Sequence, residues 1–239
     1  MGIFKAYDIR GIYNKEFNKD DVYRIGYFLP KLLKTDKVLV GRDCRISSDE
    51  IFENISRGIT DSGADVYNIG LSTTPMVYYA TAHYNFDASV QITASHNPKE
   101  YNGLKVSRAG ALPVGYDSGL AELENMVKTG TVKKEGRKGS IIDYNITEEY
   151  ITFQKQNLPD LSGISIGVDC SNGMSSLIIK DILGDKPYYI NDTLDGTFPN
   201  HEPNPLIEKN VMELEKLVKQ KKCDIGIIYD GDADRVVFT

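Results

Sequence analysis

Asp224-Ile225-Gly226-Ile227-Ile228-Tyr229-Asp230-Gly231-Asp232-Ala233-Asp234-Arg235 is the stretch on which the fold turns. Its first six residues form a short apolar run opened by an acid, the length of a buried strand. The next five alternate carboxylates with the two smallest residues, Gly231 and Ala233, so the backbone can curl tightly and aim three acids one way. A polar loop at the carboxyl end of a strand is how α/β sheets present a ligand site. Two unit charges ~4 Å apart repel by ~4 kcal/mol at an effective dielectric near ~20, and three acids make three such pairs. A hard divalent cation offsets that cost, because oxygen-only ligation suits Mg2+ or Ca2+.

Three other readings compete with a cation site at Asp230, Asp232 and Asp234. A solvated acidic turn explains neither the small spacers nor the strand before them. An EF-hand wants glycine at its sixth loop position and a helix in front, where Arg235 and a strand stand. A phosphatase with an aspartyl nucleophile, of the haloacid dehalogenase type, expects Thr or Val two residues beyond the second acid, and Asp234 is there. Magnesium binding is the reading retained.

Working outward, apolar runs alternate with amphipathic patterns over most of the chain. Residues 37–41 read as a buried strand, and Ser47 with Glu50 as a capping box opening a helix that carries Ile51, Ile55 and Ile59. Residues 65–69 read as a strand, Pro75 as the first turn of a helix to Tyr84, and residues 88–92 and 104–106 as strands. Residues 129–139 are basic and without periodicity, a surface loop. A second series follows: strand 164–168, helix 175–183, strand 188–190, a helix with Ile207, Val211, Leu214 and Val218 on one face, then strand 224–229. The three lysines among residues 219–222 read as a helix end, where positive charge suits the dipole. This predicts two consecutive α/β domains with mostly parallel mixed sheets flanked by helices, residues 1–145 and 146–239. Residues 235–239 read as a strand just begun, so the expectation is an N-terminal fragment truncated at its C-terminal end.

Composition narrows the class. The chain has 239 residues, 41% hydrophobic and 26% charged, too apolar for disorder. No apolar run approaches the ~20 residues of a membrane span, and Lys5, Asp8 and Arg10 interrupt any signal peptide. A net charge of −6 argues against a nucleic-acid partner. Three widely spaced cysteines fit a reduced, cytoplasmic setting better than a disulfide framework.

The second candidate site is Thr93-Ala94-Ser95-His96-Asn97-Pro98, followed by Tyr101-Asn102-Gly103-Leu104-Lys105. Asn97-Pro98 and Asn102-Gly103 are turn dipeptides, which places Ser95 on a tight, exposed loop. Ser95 beside His96, with Lys105 downstream, reads as a nucleophile or as a phosphorylated residue that ligates a cation through its phosphate. Alone, the loop is better explained by turn capping. Its pairing with a triple-Asp site is what points to function, since Mg2+ commonly fills its remaining positions with phosphate.

Ala94-Ser95-His96-Asn97-Pro98 together with Asp230-Gly231-Asp232-Ala233-Asp234-Arg235 resembles the α-D-phosphohexomutase superfamily, specifically its phosphomannomutase/phosphoglucomutase group. Tyr7-Asp8-Ile9-Arg10-Gly11 resembles that group's N-terminal motif, and Gly41-Arg42-Asp43 with Arg45-Ile46-Ser47-Ser48 its second-strand motif. The resemblance implies domains 1 and 2 of a four-domain enzyme that interconverts hexose 1-phosphate and hexose 6-phosphate through a hexose 1,6-bisphosphate, an isomerase. By that resemblance Ser95 is the phosphoserine and, with Asp230, Asp232 and Asp234, a ligand of Mg2+. Arg235 contacts the phosphoserine, Lys105 and Arg10 serve proton transfer and polarity, and Tyr7 and His96 line the cleft. A neighbouring cation is expected to lower the Lys105 pKa and so make it a base. By the same resemblance the choice among glucose, mannose and glucosamine is expected to lie with domains 3 and 4. The rival from another class is a non-catalytic phosphosugar-binding protein of two domains.

Overall fold

The computed structural model describes residues 2–133 and 136–239. The first sheet is built from β1 (Ile9–Ile12), β2 (Lys37–Arg42), β3 (Asp65–Leu71), β4 (Ala88–Ile92), β5 (Tyr101–Arg108), β6 (Leu112–Pro113) and β7 (Ile141–Asp143). Its order is β1-β5-β4-β2-β3-β7, with β6 beside β5. The second sheet holds β8 (Ile166–Asp169), β9 (Tyr188–Ile190), β10 (Ile225–Tyr229) and β11 (Val236–Phe238), in the order β11-β10-β8-β9. β4, β2, β3 and β7 run parallel, as do β10, β8 and β9. β5 is antiparallel to β4, β1 to β5, and β11 folds back on β10. The expected α/β class with mixed sheets is what forms.

Strand β2 explains why helices cover both faces. Val38 and Val40 face the cluster that includes residues of α1 (Lys19–Leu33), α2 (Ser48–Asp61) and α4 (Leu120–Thr129). Leu39, between them, faces the cluster of Met76, Val77 and Ala80 on α3 (Thr74–His83). The strand's period of two therefore fills two cores. The second of these also takes Tyr150 from α5 (Thr147–Gln156) and Ile178, which precedes α6 (Ile179–Leu183), so one apolar cluster spans the joint between the sheets. On the far side α7 (Glu208–Lys221) buries Val211 and Leu214 against Ile228.

Several expectations are corrected. Ser47 caps α2 without a side-chain bond, because its backbone is already helical (φ −86°, ψ −6°); its Oγ accepts from Asn102 Nδ2 instead. The expected helix 175–183 is a single turn of 3-10 helix, Met174–Leu177, and the short α6, broken where Ile178 leaves helical backbone at φ −133°. β5 is eight residues long rather than three. α1, α4 and α5 lie where the sequence reading places no element, although Asn18 and Asp21 form a full capping box at the start of α1. The supposed loop 129–139 begins in the last residue of α4 and is tied down by Gly130 O to Arg24 and by Gly139 N to Thr60 O; its residues 134 and 135 lie outside the described residues. Cys44, Cys170 and Cys223 are free thiols. Among the described residues no helix is long and apolar enough to cross a membrane.

Candidate active site

The two loops singled out in the sequence meet between the sheets. The serine loop leaves the end of β4, and Ser95 takes left-handed backbone at φ +52°. Its N–H donates to Thr93 Oγ1 at 2.9 Å, and Asn97 N donates to Ala94 O at 3.1 Å, which closes the turn. Ser95 is buried, 2% exposed, so the loop is tight as expected but not exposed. Its Oγ donates to Asp230 Oδ2 at 2.7 Å, joining residues 135 apart in sequence.

Asp230, Asp232 and Asp234 leave the carboxyl end of β10, with one oxygen from each lying within 4.8 Å of the others. Asp230 and Asp232 are fully buried. β5 supplies the counter-charge: Leu104 and Val106 face the core, so Lys105 faces the opposite way. Its Nζ donates to Asp232 Oδ2 at 2.6 Å and Asp234 Oδ2 at 2.5 Å. Thr74, at the start of α3, donates its hydroxyl to the same Asp232 oxygen at 2.5 Å and its N–H to Asp232 O at 3.0 Å. His96 Nδ1 accepts from Arg235 Nη1 at 2.9 Å, and Arg10 Nη1 donates to Asn97 Oδ1 at 2.6 Å. Tyr7, Arg10, Ser95, Lys105, Asp234 and Arg235 all line one cleft of about 420 Å3, with Tyr78 on its wall.

The charges are unequal in their environments. Burial, then repulsion from Asp232 and Asp234, pushes Asp230 up to about 8. Burial would raise Asp232 too, but the Lys105 ammonium outweighs it and holds that carboxyl below its usual range. Asp234 is raised by burial and by Asp232. Burial, with the Arg235 and Arg10 guanidinium groups nearby, pushes His96 down to about 4, so it faces Arg235 as a neutral acceptor. Burial alone would lower Lys105; its two carboxylate partners reverse the sign and raise it. The expected lowering of Lys105 is therefore not found with these neighbours.

The acidic cluster fits a hard cation on its own chemistry. All its donors are oxygens, they converge, and Asp232 Oδ1 is buried with no hydrogen-bond partner among the described residues. A buried carboxylate oxygen without a donor is costly, and a cation is the partner such an atom lacks.

Every candidate residue from the sequence reaches this cleft or a neighbour that lines it. Thr74 and Arg45 were missed. Thr74 gave no local signal, because only folding brings it to Asp232. Arg45 stood inside the Arg45-Ile46-Ser47-Ser48 motif, whose role the sequence did not disclose. It is buried, and pairs with Asp43 Oδ2 at 3.1 Å beneath the serine loop.

Comparison with known proteins agrees with this geometry. Residues 1–134 match the family model for phosphoglucomutase/phosphomannomutase, alpha/beta/alpha domain I, and residues 148–239 match the model for domain II. The chain belongs to the phosphoglucomutase/phosphomannomutase family. Within the α-D-phosphohexomutase superfamily it is 35% identical over 244 residues to a phosphomannomutase of Salmonella montevideo, covering 97% of this chain and 54% of that protein. It is 35% identical over 240 residues to a phosphoglucomutase of Neisseria meningitidis serogroup B, covering 98% of this chain and 52% of that one. A solved phosphoglucomutase/phosphomannomutase family protein of Burkholderia thailandensis superposes with a TM-score of 0.91 at 28% identity, over 99% of this chain and 54% of its own. The chain thus spans about half the length of the curated relatives it matches.

Proposed function

We propose that this chain carries the phosphoserine and metal-binding half of a hexose-phosphate mutase, an isomerase that interconverts hexose 1-phosphate and hexose 6-phosphate through a bisphosphorylated sugar. Residues 1–145 supply the serine loop and residues 146–239 the acidic loop. The observation that carries the reading is the 2.7 Å contact of Ser95 Oγ with Asp230, inside a cluster whose oxygens converge. The names of its relatives, phosphomannomutase and phosphoglucomutase, support hexose phosphates as the substrate class.

Asp230, Asp232, Asp234 and an oxygen on Ser95 would hold Mg2+. Bound there, the ion would supply charge neutralisation for a transferring phosphoryl group. In the net transfer the bond from Ser95 Oγ to phosphorus breaks, a bond from phosphorus to a sugar hydroxyl oxygen forms, and the hydroxyl proton ends on Oγ. Phosphoryl transfer asks the protein mainly for position and charge. Ser95 is positioned by its strained turn, and Lys105 brings positive charge to the cleft wall. With two carboxylates holding its proton, Lys105 serves better as acid and counter-charge than as base. Arg235 and Arg10 place two further cations at the cleft, suited to substrate phosphate.

Incubation with glucose 1,6-bisphosphate and Mg2+ tests the proposal. Intact-mass spectrometry is expected to show one added phosphoryl group, mapped to Ser95 and absent from Ser95→Ala. A label on Asp230 that survives Ser95→Ala would replace this reading with an aspartyl-phosphate one, and no label at all would leave only a phosphosugar-binding module.

A further inference from the structure

The guanidinium of Arg45 lies behind the serine loop and outside the cleft, yet every one of its five N–H donors is directed at the loop or at Asp43. Nη2 donates to Ser95 O at 2.8 Å and Asn97 O at 2.7 Å. Nη1 donates to Pro98 O at 2.7 Å and Tyr101 O at 3.1 Å. Nε donates to Asp43 Oδ2 at 3.1 Å, whose other oxygen accepts from Ser48 Oγ at 2.6 Å and from Arg45 N at 3.0 Å. Four carbonyls spread over seven residues of the serine loop therefore converge on one planar cation. Arginine alone among side chains carries such a fork of donors.

The same group touches the other half of the molecule. The centre of the Phe198 ring, on the segment between β9 and α7, lies 5.0 Å from the guanidinium carbon. Phe198 is itself held at φ +48°, an unfavourable backbone for a bulky residue. Ser95 at φ +52° is also unfavourable, and such conformations persist only where the surroundings over-determine them. Arg45 supplies that determination: with Ser95 O captured from behind, Oγ is left facing Asp230.

We infer that Arg45 is a positioning residue, a buried clamp that fixes the backbone of residues 95–101 and so sets the aim of Ser95 Oγ at the acidic cluster. It touches neither substrate nor metal and acts only through the loop. The inference rests on the phosphoserine reading for its consequence in reactivity, but its structural half stands independently. A lysine at this position keeps the charge beside Asp43 and loses the fork.

Arg45→Lys tests the clamp with two readouts. Amide hydrogen exchange across residues 95–101 reports the hold on the loop, and the rate at which glucose 1,6-bisphosphate phosphorylates Ser95 reports the aim. The expected result is a folded protein whose loop exchanges faster and whose phosphorylation is slowed by roughly tenfold to a hundredfold, the upper figure being what misplacement by about 1 Å can cost. Added guanidinium ion is expected to recover rate in Arg45→Ala and to leave the unsubstituted protein unchanged. Loop protection and rate both as in the unsubstituted protein would overturn the clamp, because charge alone would then suffice. Should Arg45→Lys not fold, Phe198→Leu removes only the ring beneath the guanidinium, and the same two readouts decide. If the unsubstituted chain takes up no phosphoryl group, the phosphoserine reading fails, while exchange at residues 95–101 still decides whether Arg45 holds the loop.

Discussion

Asp232 is the most contested residue in the site. One oxygen accepts from Lys105 and Thr74, and the other is buried without a partner among the described residues. Removing the Thr74 hydroxyl takes away a donor to a charged, desolvated acceptor, an interaction worth about 1.5–3 kcal/mol. Thr74→Val, nearly the same shape, is therefore expected to lower stability by about 2 kcal/mol, read as a lower urea midpoint at unchanged slope. An unchanged midpoint would mean that Lys105 alone satisfies Asp232. At this scale the acids and the serine were legible, because each announces itself locally: small spacers around the carboxylates, turn dipeptides around Ser95. Thr74 and Arg45 were not, since Asp232 lies 158 residues from Thr74 and the loop carbonyls that Arg45 holds lie 50 or more residues from it. The burial of Ser95 was also hidden, because it comes from a second sheet that closes over a loop whose own composition looks exposed.

Among the elements, β2, β3, β4 and β10 and the helices α2 and α7 were legible from their periods, α1 was passed over although Asn18 and Asp21 cap it, and close backbone approaches left no signal at all. Gly26 of α1 and Gly58 of α2 let those helices touch: a methyl at Gly58 would stand 2.1 Å from Tyr23 O. Nothing in a hydrophobic pattern encodes that contact. The link between β8 and the segment before α7 was likewise unreadable. Asp169, fully buried at the end of β8, meets His201 Nε2 at 3.0 Å, while His201 Nδ1 faces Glu202 O at 2.9 Å. Both ring nitrogens thus face acceptors. Burial would lower the His201 pKa, but Asp169, the Glu202 carbonyl and Glu213 outweigh it and raise it above the ordinary imidazole value of about 6.5. A cation favoured in the folded state contributes stability that is complete below the unfolded pKa, about 6.5, and is lost as pH rises through the higher folded value. Urea unfolding at a series of pH values is expected to show stability falling above that range, with His201→Gln flattening the fall. An NMR titration placing the His201 midpoint below 6.5 would contradict the imidazolium–carboxylate pair.

For the molecule as a whole, the site exists only while the two sheets stay together. The apolar cluster of Met76, Val77, Tyr150 and Ile178 joins them on one side, and the contacts of Ser95, Lys105 and Thr74 with the acidic loop join them on the other. A third seam runs through Gly196, where a methyl would lie 2.1 Å from Cys44 O and 2.8 Å from the Arg45 Cα. Both obstacles are backbone, so neither can rotate away, and the segment carrying Phe198 would have to lift from the Asp43–Arg45 turn. Forcing extra volume into a packed seam costs about 1–3 kcal/mol. For a chain of this size that corresponds to a fall in melting temperature of about 4–8 °C for a 2 kcal/mol loss. Because the strain falls on the joint rather than inside either core, Gly196→Ala should also weaken cooperativity. Calorimetry is expected to resolve its single transition into two, with the second sheet, the smaller of the two, melting first. A single transition at an unshifted temperature would show that the apolar cluster and the contacts of Ser95, Lys105 and Thr74 with the acidic loop hold the sheets together without this seam.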